Sequence, residues 1–362
     1  MMVRNVLRVL FVFLFVWVFS LNSVEASFMP EVRPGPGVTA QKWLSDYHPP
    51  LKGTNFDTPI FFLDGAKNGA TVLLIGGTHP REIGPYTAAV VAIENAAVKE
   101  GRLIVIPALN ASGYGISDLS TKIPRVHKIQ GRSGTRSLYY GDRRIALADW
   151  GKPDDKKFIH MSGFEIDDPE EARNINRNYP GKADGSWAEQ VTFAVMELIR
   201  KESVNMNLDM HEADTPEFRT DPKTGKYERG GRLAYMLIAN PREEVFEAAG
   251  DVVLAISEAF NISLKLEASN PTFRGLSHLE IGNAAPTWSF LMETPNPGQD
   301  LWRKSPDVIN DSKYPLKDRA GLQLEVFKRL VDVWNSQNEK RLIMDLPGYN
   351  ELKEKGVGAF LN

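Results

Sequence analysis

Two apolar runs, ATVLLIGG at 70–77 and GRLIVIPAL at 101–109, flank a segment of helical spacing, GPYTAAVVAIENAAVK at 84–99. Between the first run and the helix lies a short polar stretch, THPREI. Strand, polar loop, helix and strand in that order make a βαβ unit. Strands joined by such a crossover run parallel, and a sheet of that kind needs helices to cover it. The pattern returns further on. PIFFLDG precedes the first run across AKNG, where Asn68-Gly69 is a turn signal between two short strands. SWAEQVTFAVMELIRKES (186–203) reads as an amphipathic helix and VNMNLDMHEAD (204–214) as a strand ending in charged residues. LAYMLIAN (233–240), a helix over 242–260 and ISLKLEA (262–268) give a second strand–helix–strand unit. APTWSFLMETP (285–295) is a strand ending at an acid, and RAGLQLEVFKRLVDVWNSQ (319–337) a long helix. The expected fold is α/β, a mixed, mostly parallel twisted sheet with helices on both faces.

The chain has 362 residues, enough for one large domain or two smaller ones. Its formal net charge is −3 and no large basic block occurs, which argues against nucleic acid as a partner. At the N-terminus a short positive stretch, MMVRNVLR, is followed by the apolar VLFVFLFVWVFSL and then by NSVEAS. Val24 and Ala26 fit a small-residue cleavage pattern, so residues 1–26 read as a secretory signal peptide cut after Ala26. An uncleaved anchor is the rival, but a spanning helix needs roughly 20 apolar residues. The expectation is an exported protein, periplasmic or extracellular, with no stable membrane anchor after cleavage. The chain has no cysteine, hence no disulfide and no lipid attached through one; export without disulfides suits a bacterium.

Residues 27–55, rich in Pro and Gly, read as a lead-in segment, 56–337 as the main domain and 338–362 as a C-terminal tail. Residues 110–173 break the strand–helix rhythm with a long polar stretch, the kind that forms a functional rim or lid.

Polar residues capable of chemistry stand at three strand ends: His79 with Glu82, then His211, then Glu293. In open α/β sheets ligands gather beyond the carboxyl ends of the strands, where all of these lie if the strands run parallel. Two histidines and one glutamate make a three-ligand zinc site with a fourth position left for water. Such a site also needs a carboxylate to carry the water's proton to the leaving amine, and Glu293 is the candidate. Each residue taken singly has a plainer reading. His79 and Glu82 form a surface pair, His211 a satisfied polar residue at a strand end, and Glu293 a capping or salt-bridging acid. Their joint occurrence, each at a strand end, favours the metal site.

The motifs resemble those of the zinc carboxypeptidases, the carboxypeptidase A-like superfamily. HPRE (79–82) resembles that family's His-x-Arg-Glu, and NINRNYP (174–180) its Asp-x-Asn-Arg-Asn segment. LDMHEAD (208–214) and FLMETP (290–295) resemble the strands that deliver the third ligand and the general base. The resemblance covers about residues 56–336 and extends to the succinylglutamate desuccinylase/aspartoacylase branch, which shares the metal site and sheet. It implies a single carboxypeptidase-like domain and one Zn2+ per chain, held by His79, Glu82 and His211, with Glu293 as general base. It implies Asn176 and Arg177 as binders of a substrate carboxylate, since a guanidinium fork matches a carboxylate with two hydrogen bonds. Arg81 is implied as a secondary substrate contact. The expected substrate is a small peptide, including cell-wall peptides, with N-acyl amino acids as the alternative. A non-catalytic carboxylate-binding protein of the same fold is the reading from another class. The chain departs from the pattern in several places. Asn174 stands where the family has Asp, and Glu212 follows His211 where the digestive enzymes have Ser. The stretch before Glu293 holds Thr272, Phe273, Ser277 and His278 but no Tyr to cap the substrate, and His278 reads as an exposed loop residue. Arg143 and Arg144 are the candidates for an oxyanion-stabilising arginine.

Overall fold

The computed structural model describes residues 28–220 and 225–362; the signal peptide expected at 1–26 lies outside the described residues. In chain order the strands are β1 (Ala40–Trp43), β2 (Pro59–Asp64), β3 (Lys67–Ile75), β4 (Ala97–Ile106), β5 (Val126–Gly131), β6 (Gly134–Tyr139), β7 (Phe158–Ile159) and β8 (Glu165–Ile166). There follow β9 (Met206–Ala213), β10 (Phe218–Thr220), β11 (Tyr227–Arg229), β12 (Met236–Ala239), β13 (Lys265–Ala268), β14 (Trp288–Pro295) and β15 (Ile343–Asp345). The helices are α1 (Ile83–Asn95), α2 (Ala111–Tyr114), α3 (Leu147–Trp150), α4 (Trp187–Lys201), α5 (Glu243–Phe260), α6 (Ser277–Ala284), α7 (Leu316–Gln337) and α8 (Tyr349–Lys355).

Nine strands form one mixed sheet in the order β1-β2-β4-β3-β9-β14-β12-β13, with β15 pairing β4. Its centre, β4-β3-β9-β14, is parallel, while β2 and β12 join it antiparallel. The parallel centre carries the expected βαβ unit and sends the ends of β3, β9 and β14 to one edge, where the motif residues stand. Alternation along β9 assigns its faces. Met206, Leu208 and Met210 enter the larger core, shared with α1, α5 and α7. Asn207, Asp209 and His211 point to the opposite face, covered by α4 and α6; Leu73 and Ile75 of β3 point the same way into that second core.

Three expectations are corrected. Asn68-Gly69 lies inside β3, not in a turn, because β4 inserts between β2 and β3. Gly69 is pressed there against the backbone of Arg341, whose carbonyl would stand 2.1 Å from an added Cβ. The helix expected through residue 99 ends at Asn95, whose side chain donates to Val91 O and Phe360 O at 2.8 and 2.7 Å, and β4 begins at Ala97. Residues 338–362 do not trail from the domain: Leu346, Tyr349, Leu352, Val357 and Leu361 are buried in the larger core. The buried Arg136 guanidinium fixes that end, donating to Asn362 O at 2.8 Å and to the Glu94 carboxylate at 2.8 and 2.9 Å. The lead-in segment is likewise tied in, with β1 pairing β2. Within 110–173 the structure forms two hairpins, β5–β6 and β7–β8. Among the described residues no helix is long and apolar enough to cross a membrane.

Candidate metal centre

Gly76-Gly77 follows β3 directly, and Gly77 takes φ +64°, a left-handed conformation that glycine adopts without strain. The chain then closes a turn, Glu82 N donating to His79 O at 2.9 Å, which sets both side chains on the same side. Glu82 also stands at the N-cap position of α1, although its side chain makes no capping hydrogen bond there. His211 arrives at the end of β9. The Glu82 carboxylate joins the two histidines: Oε1 lies 2.8 Å from His79 Nδ1 and Oε2 3.0 Å from His211 Nδ1. The two Nδ1 atoms are 3.2 Å apart. One donor atom from each of the three residues lies within 4.8 Å of the others, and all three residues are buried.

The donor set fits a divalent cation. It offers two imidazole nitrogens and a carboxylate, and each imidazole has an oxygen behind its other nitrogen, as metal-bound histidines usually do. His79 Nε2 is 2.8 Å from Asn174 Oδ1, and His211 Nε2 is 3.1 Å from Asp209 Oδ2. Asp209 is held by hydroxyl donors, Thr78 Oγ1 at 2.8 Å and Ser277 Oγ at 2.6 Å. The charges also gather toward a cation. Burial raises the Glu82 carboxyl, but the His79 and His211 charges outweigh it and hold the group below its usual range. Burial likewise opposes a charged His211, yet Asp209 and Glu82 overcome it and raise this imidazole well above the ordinary histidine value. His79 is lowered, burial leading and Glu82 offsetting only part of it.

β14 pairs parallel with β9 and sets Glu293 directly across from His211. Its carboxyl is buried and Oε2 has no hydrogen-bond partner among the described residues. Burial and the nearby carboxylates of Glu82, Asp209 and Glu212 raise it well above the usual carboxylate range, against the opposing charge of His211. An unpartnered buried carboxyl is costly. Here it faces the cluster where a proton carrier would be needed.

Glu212, next to His211, points to the other face of β9. It accepts from Gly84 N at 3.2 Å and pairs with the buried Arg319 of α7 at 2.5 Å, while its own N–H donates to Glu82 Oε2 at 3.0 Å. Glu212 and Gly84 are so close that a Cβ on Gly84 would stand 2.2 Å from Glu212 Oε1. Gly84→Ala should therefore lower stability by about 1–3 kcal/mol, read from the urea midpoint at unchanged m-value.

The implied substrate-binding residues divide. Arg177 lies near the cluster, with Nη1 donating to Asn176 O at 2.7 Å and its guanidinium 5.2 Å from the Phe273 ring centre. Burial and the Arg143 charge lower its pKa to about 10, with Glu171 and Glu293 opposing. Asn176 is buried beside it, its Oδ1 accepting from Ser277 N at 2.8 Å. Arg81 turns instead to Asp118, with Nη2 3.0 Å from a carboxylate that is wholly buried. Of the two oxyanion candidates, Arg143 is near enough for its charge to act on His79, whereas Arg144 pairs with Asp168 and Glu170. His278 is not exposed: it lies buried in α6, which packs over β14 and β9, and burial is the main cause that lowers it to about 3. Sequence reasoning missed Asp209, Ser277 and Glu171. Asp209 had a signal, since it precedes His211 by two residues on one strand and so shares its face.

The chain matches no family model and no curated protein. It is similar to several solved structures. One is the apo form of the cell shape determinant protein Csd4 from Helicobacter pylori, at 13% identity and TM-score 0.47, covering 79% of this chain and 55% of that one. Another is a metallo-carboxypeptidase from Burkholderia cenocepacia, at 13% identity and TM-score 0.48, covering 84% and 66%. A third is a succinylglutamate desuccinylase/aspartoacylase from Rhodobacter sphaeroides, at 18% identity and TM-score 0.36, covering 66% and 51%. The chain thus spans little more than half the length of the Helicobacter protein. Each likeness is one of chain path at low identity.

Proposed function

We propose that this chain is a zinc-dependent hydrolase that cleaves an amide bond beside a free carboxylate, in peptides including those of a cell wall. The observation that carries the reading is the meeting of His79, Glu82 and His211 within 4.8 Å, beneath a Glu293 carboxyl with a partnerless oxygen on the neighbouring strand. His79, Glu82 and His211 would hold the ion, which when bound polarises a carbonyl and lowers the pKa of a water. Glu293 takes the proton from the attacking water and returns it to the nitrogen of the leaving amine. Arg177, beside Asn176, takes the substrate carboxylate. Arg143 meets the negative charge that develops on the carbonyl oxygen. A pure binding protein has no use for a buried, unpaired carboxyl beside a ligand cluster, so Glu293 favours turnover.

The test is a hydrolysis screen of zinc-loaded protein on C-terminal peptides, cell-wall muropeptides and N-acyl amino acids, with Glu293→Gln as control. Metal analysis accompanies it: absence of stoichiometric zinc after purification with zinc present would sink the assignment. A separate expectation concerns Asn174, whose Oδ1 orients His79. Asn174→Leu should weaken zinc binding by about 10–100-fold, measured by chelator competition. Export, expected from residues 1–26, is tested by N-terminal sequencing of the mature protein.

A further inference from the structure

Glu171 is an acid that the proposed reaction does not use. It comes from the polar segment before NINRNYP, and its carboxylate is buried where Arg177, proposed to take the substrate carboxylate, meets Arg143, proposed to face the carbonyl oxygen. Arg143 Nη2 donates to it at 2.9 Å, and Arg177 Nε lies 2.9 Å from Oε2 without the alignment of a hydrogen bond. Asn174 Nδ2 donates to the same Oε2 at 2.8 Å. These contacts account for the departure at 174. The side chain there serves His79 with its oxygen and Glu171 with its nitrogen, and an Asp would set two carboxylates against each other. Glu171 thus sits two hydrogen bonds from a metal ligand. Arg144 also comes within 3.9 Å of Glu171 Oε1, but it is paired more closely with Asp168 and Glu170 at 3.4 and 3.0 Å. That leaves the Arg143 and Arg177 guanidiniums facing one internal carboxylate, with one positive charge over for a ligand.

We propose that Glu171 is a specificity-determining residue that limits the site to amides flanked by one carboxylate on a residue without a second acid. The inference rests on the reading of Arg177 and Arg143 given above. A single substrate carboxylate meets the unbalanced charge. A second one, as on a C-terminal Asp or Glu, meets Glu171 with no guanidinium to spare. The substrate class is therefore peptides ending in an uncharged residue, and N-acyl derivatives of acidic amino acids are turned away.

The test compares two peptides that differ only in a C-terminal Ala or Asp. Zinc-loaded wild type should prefer the Ala peptide. Glu171→Gln, which keeps the shape and removes the charge, should shift the kcat/KM ratio toward the Asp peptide by about tenfold, mostly through KM, the scale of one charge a few ångströms away under partial screening. Glu171→Ser, which removes both shape and charge, should shift the ratio equally, although its kcat falls for both peptides. If Glu171 is only a prop, Glu171→Ser slows both peptides alike and Glu171→Gln leaves the ratio alone; that result overturns the inference. The same ratio is read as Kd by calorimetry in the Glu293→Gln background, with and without Glu171→Gln. If wild type cleaves neither peptide, the hydrolase reading fails, while the Kd ratio still decides on Glu171. An unchanged Kd ratio, or an Asp peptide that binds neither protein, overturns the inference.

Discussion

Glu293→Gln should lose about 10²–10⁴-fold in kcat on whichever substrate the screen identifies, with zinc content and KM close to wild type. The loss follows from the role: an amide cannot accept the water's proton, and no other acid lies directly across from His211 in the β9–β14 pairing. The fold should survive, because the substitution removes no hydrogen bond made by Oε2. It also removes a carboxyl that burial and the Glu82, Asp209 and Glu212 charges already disfavour as an anion. The thermal midpoint should stay level or rise. The pH profile separates a base from a prop. Only ionised Glu293 accepts a proton, so wild-type kcat/KM should fall as pH drops through its pKa. The variant's residual rate should lack that acidic limb. Activity within a few-fold of wild type, or a variant that no longer retains zinc, would contradict the assignment.

The residues of the cluster were legible because each stands where a local pattern changes. HPRE follows an apolar run, His211 closes another, and Glu293 closes a third; a strand's end can be read from its own residues. The parallel centre was legible for the same reason, through the crossover of α1 between β3 and β4. What the sequence hides is set by contacts between distant segments. Nothing local says that β4 passes between β2 and β3, since that depends on pairing rather than pattern. The end of α1 was misplaced because the helix is buried nearly all round, between the sheet, α7 and the C-terminal segment, and so lacks the polar stripe that marks a boundary. Around the cluster, Thr78 and Ser277 meet on Asp209 from positions 131 and 68 residues away. Arg81 had the right neighbours in sequence, but its direction depended on Asp118, which lies on a separate loop.

Arg319→Met should destabilise the protein by about 3–5 kcal/mol at neutral pH, the scale for removing one partner of a buried ion pair. Arg319 is fully buried on α7, where it donates to Glu212 Oε1, to Tyr314 O at 2.9 Å and to Val308 O. Methionine fills much of the volume but strands three acceptors, one of them a carboxylate. The pH dependence identifies Glu212 as the group responsible. In the wild type, burial raises Glu212 to about 7, with Arg319 holding it back from going higher. A carboxyl raised in the folded state binds its proton more tightly there than in the unfolded chain. Its favourable contribution is complete below the unfolded value of 4.5 and is lost as pH rises through the folded value. Without Arg319 the folded value climbs further and that loss continues to higher pH, at about 1.36 kcal/mol per unit. The gap between wild type and variant should therefore stay nearly level from pH 5 to pH 7 and widen by about 1.4 kcal/mol toward pH 8, as urea unfolding at the three pH values would show. A gap that does not change with pH would mean that the two stranded carbonyls, and not Glu212, carry the effect. Because Glu212 N also holds Glu82 Oε2, the variant should bind zinc more weakly even where it remains folded, which links the stability of α7's packing to the geometry of the ligand cluster.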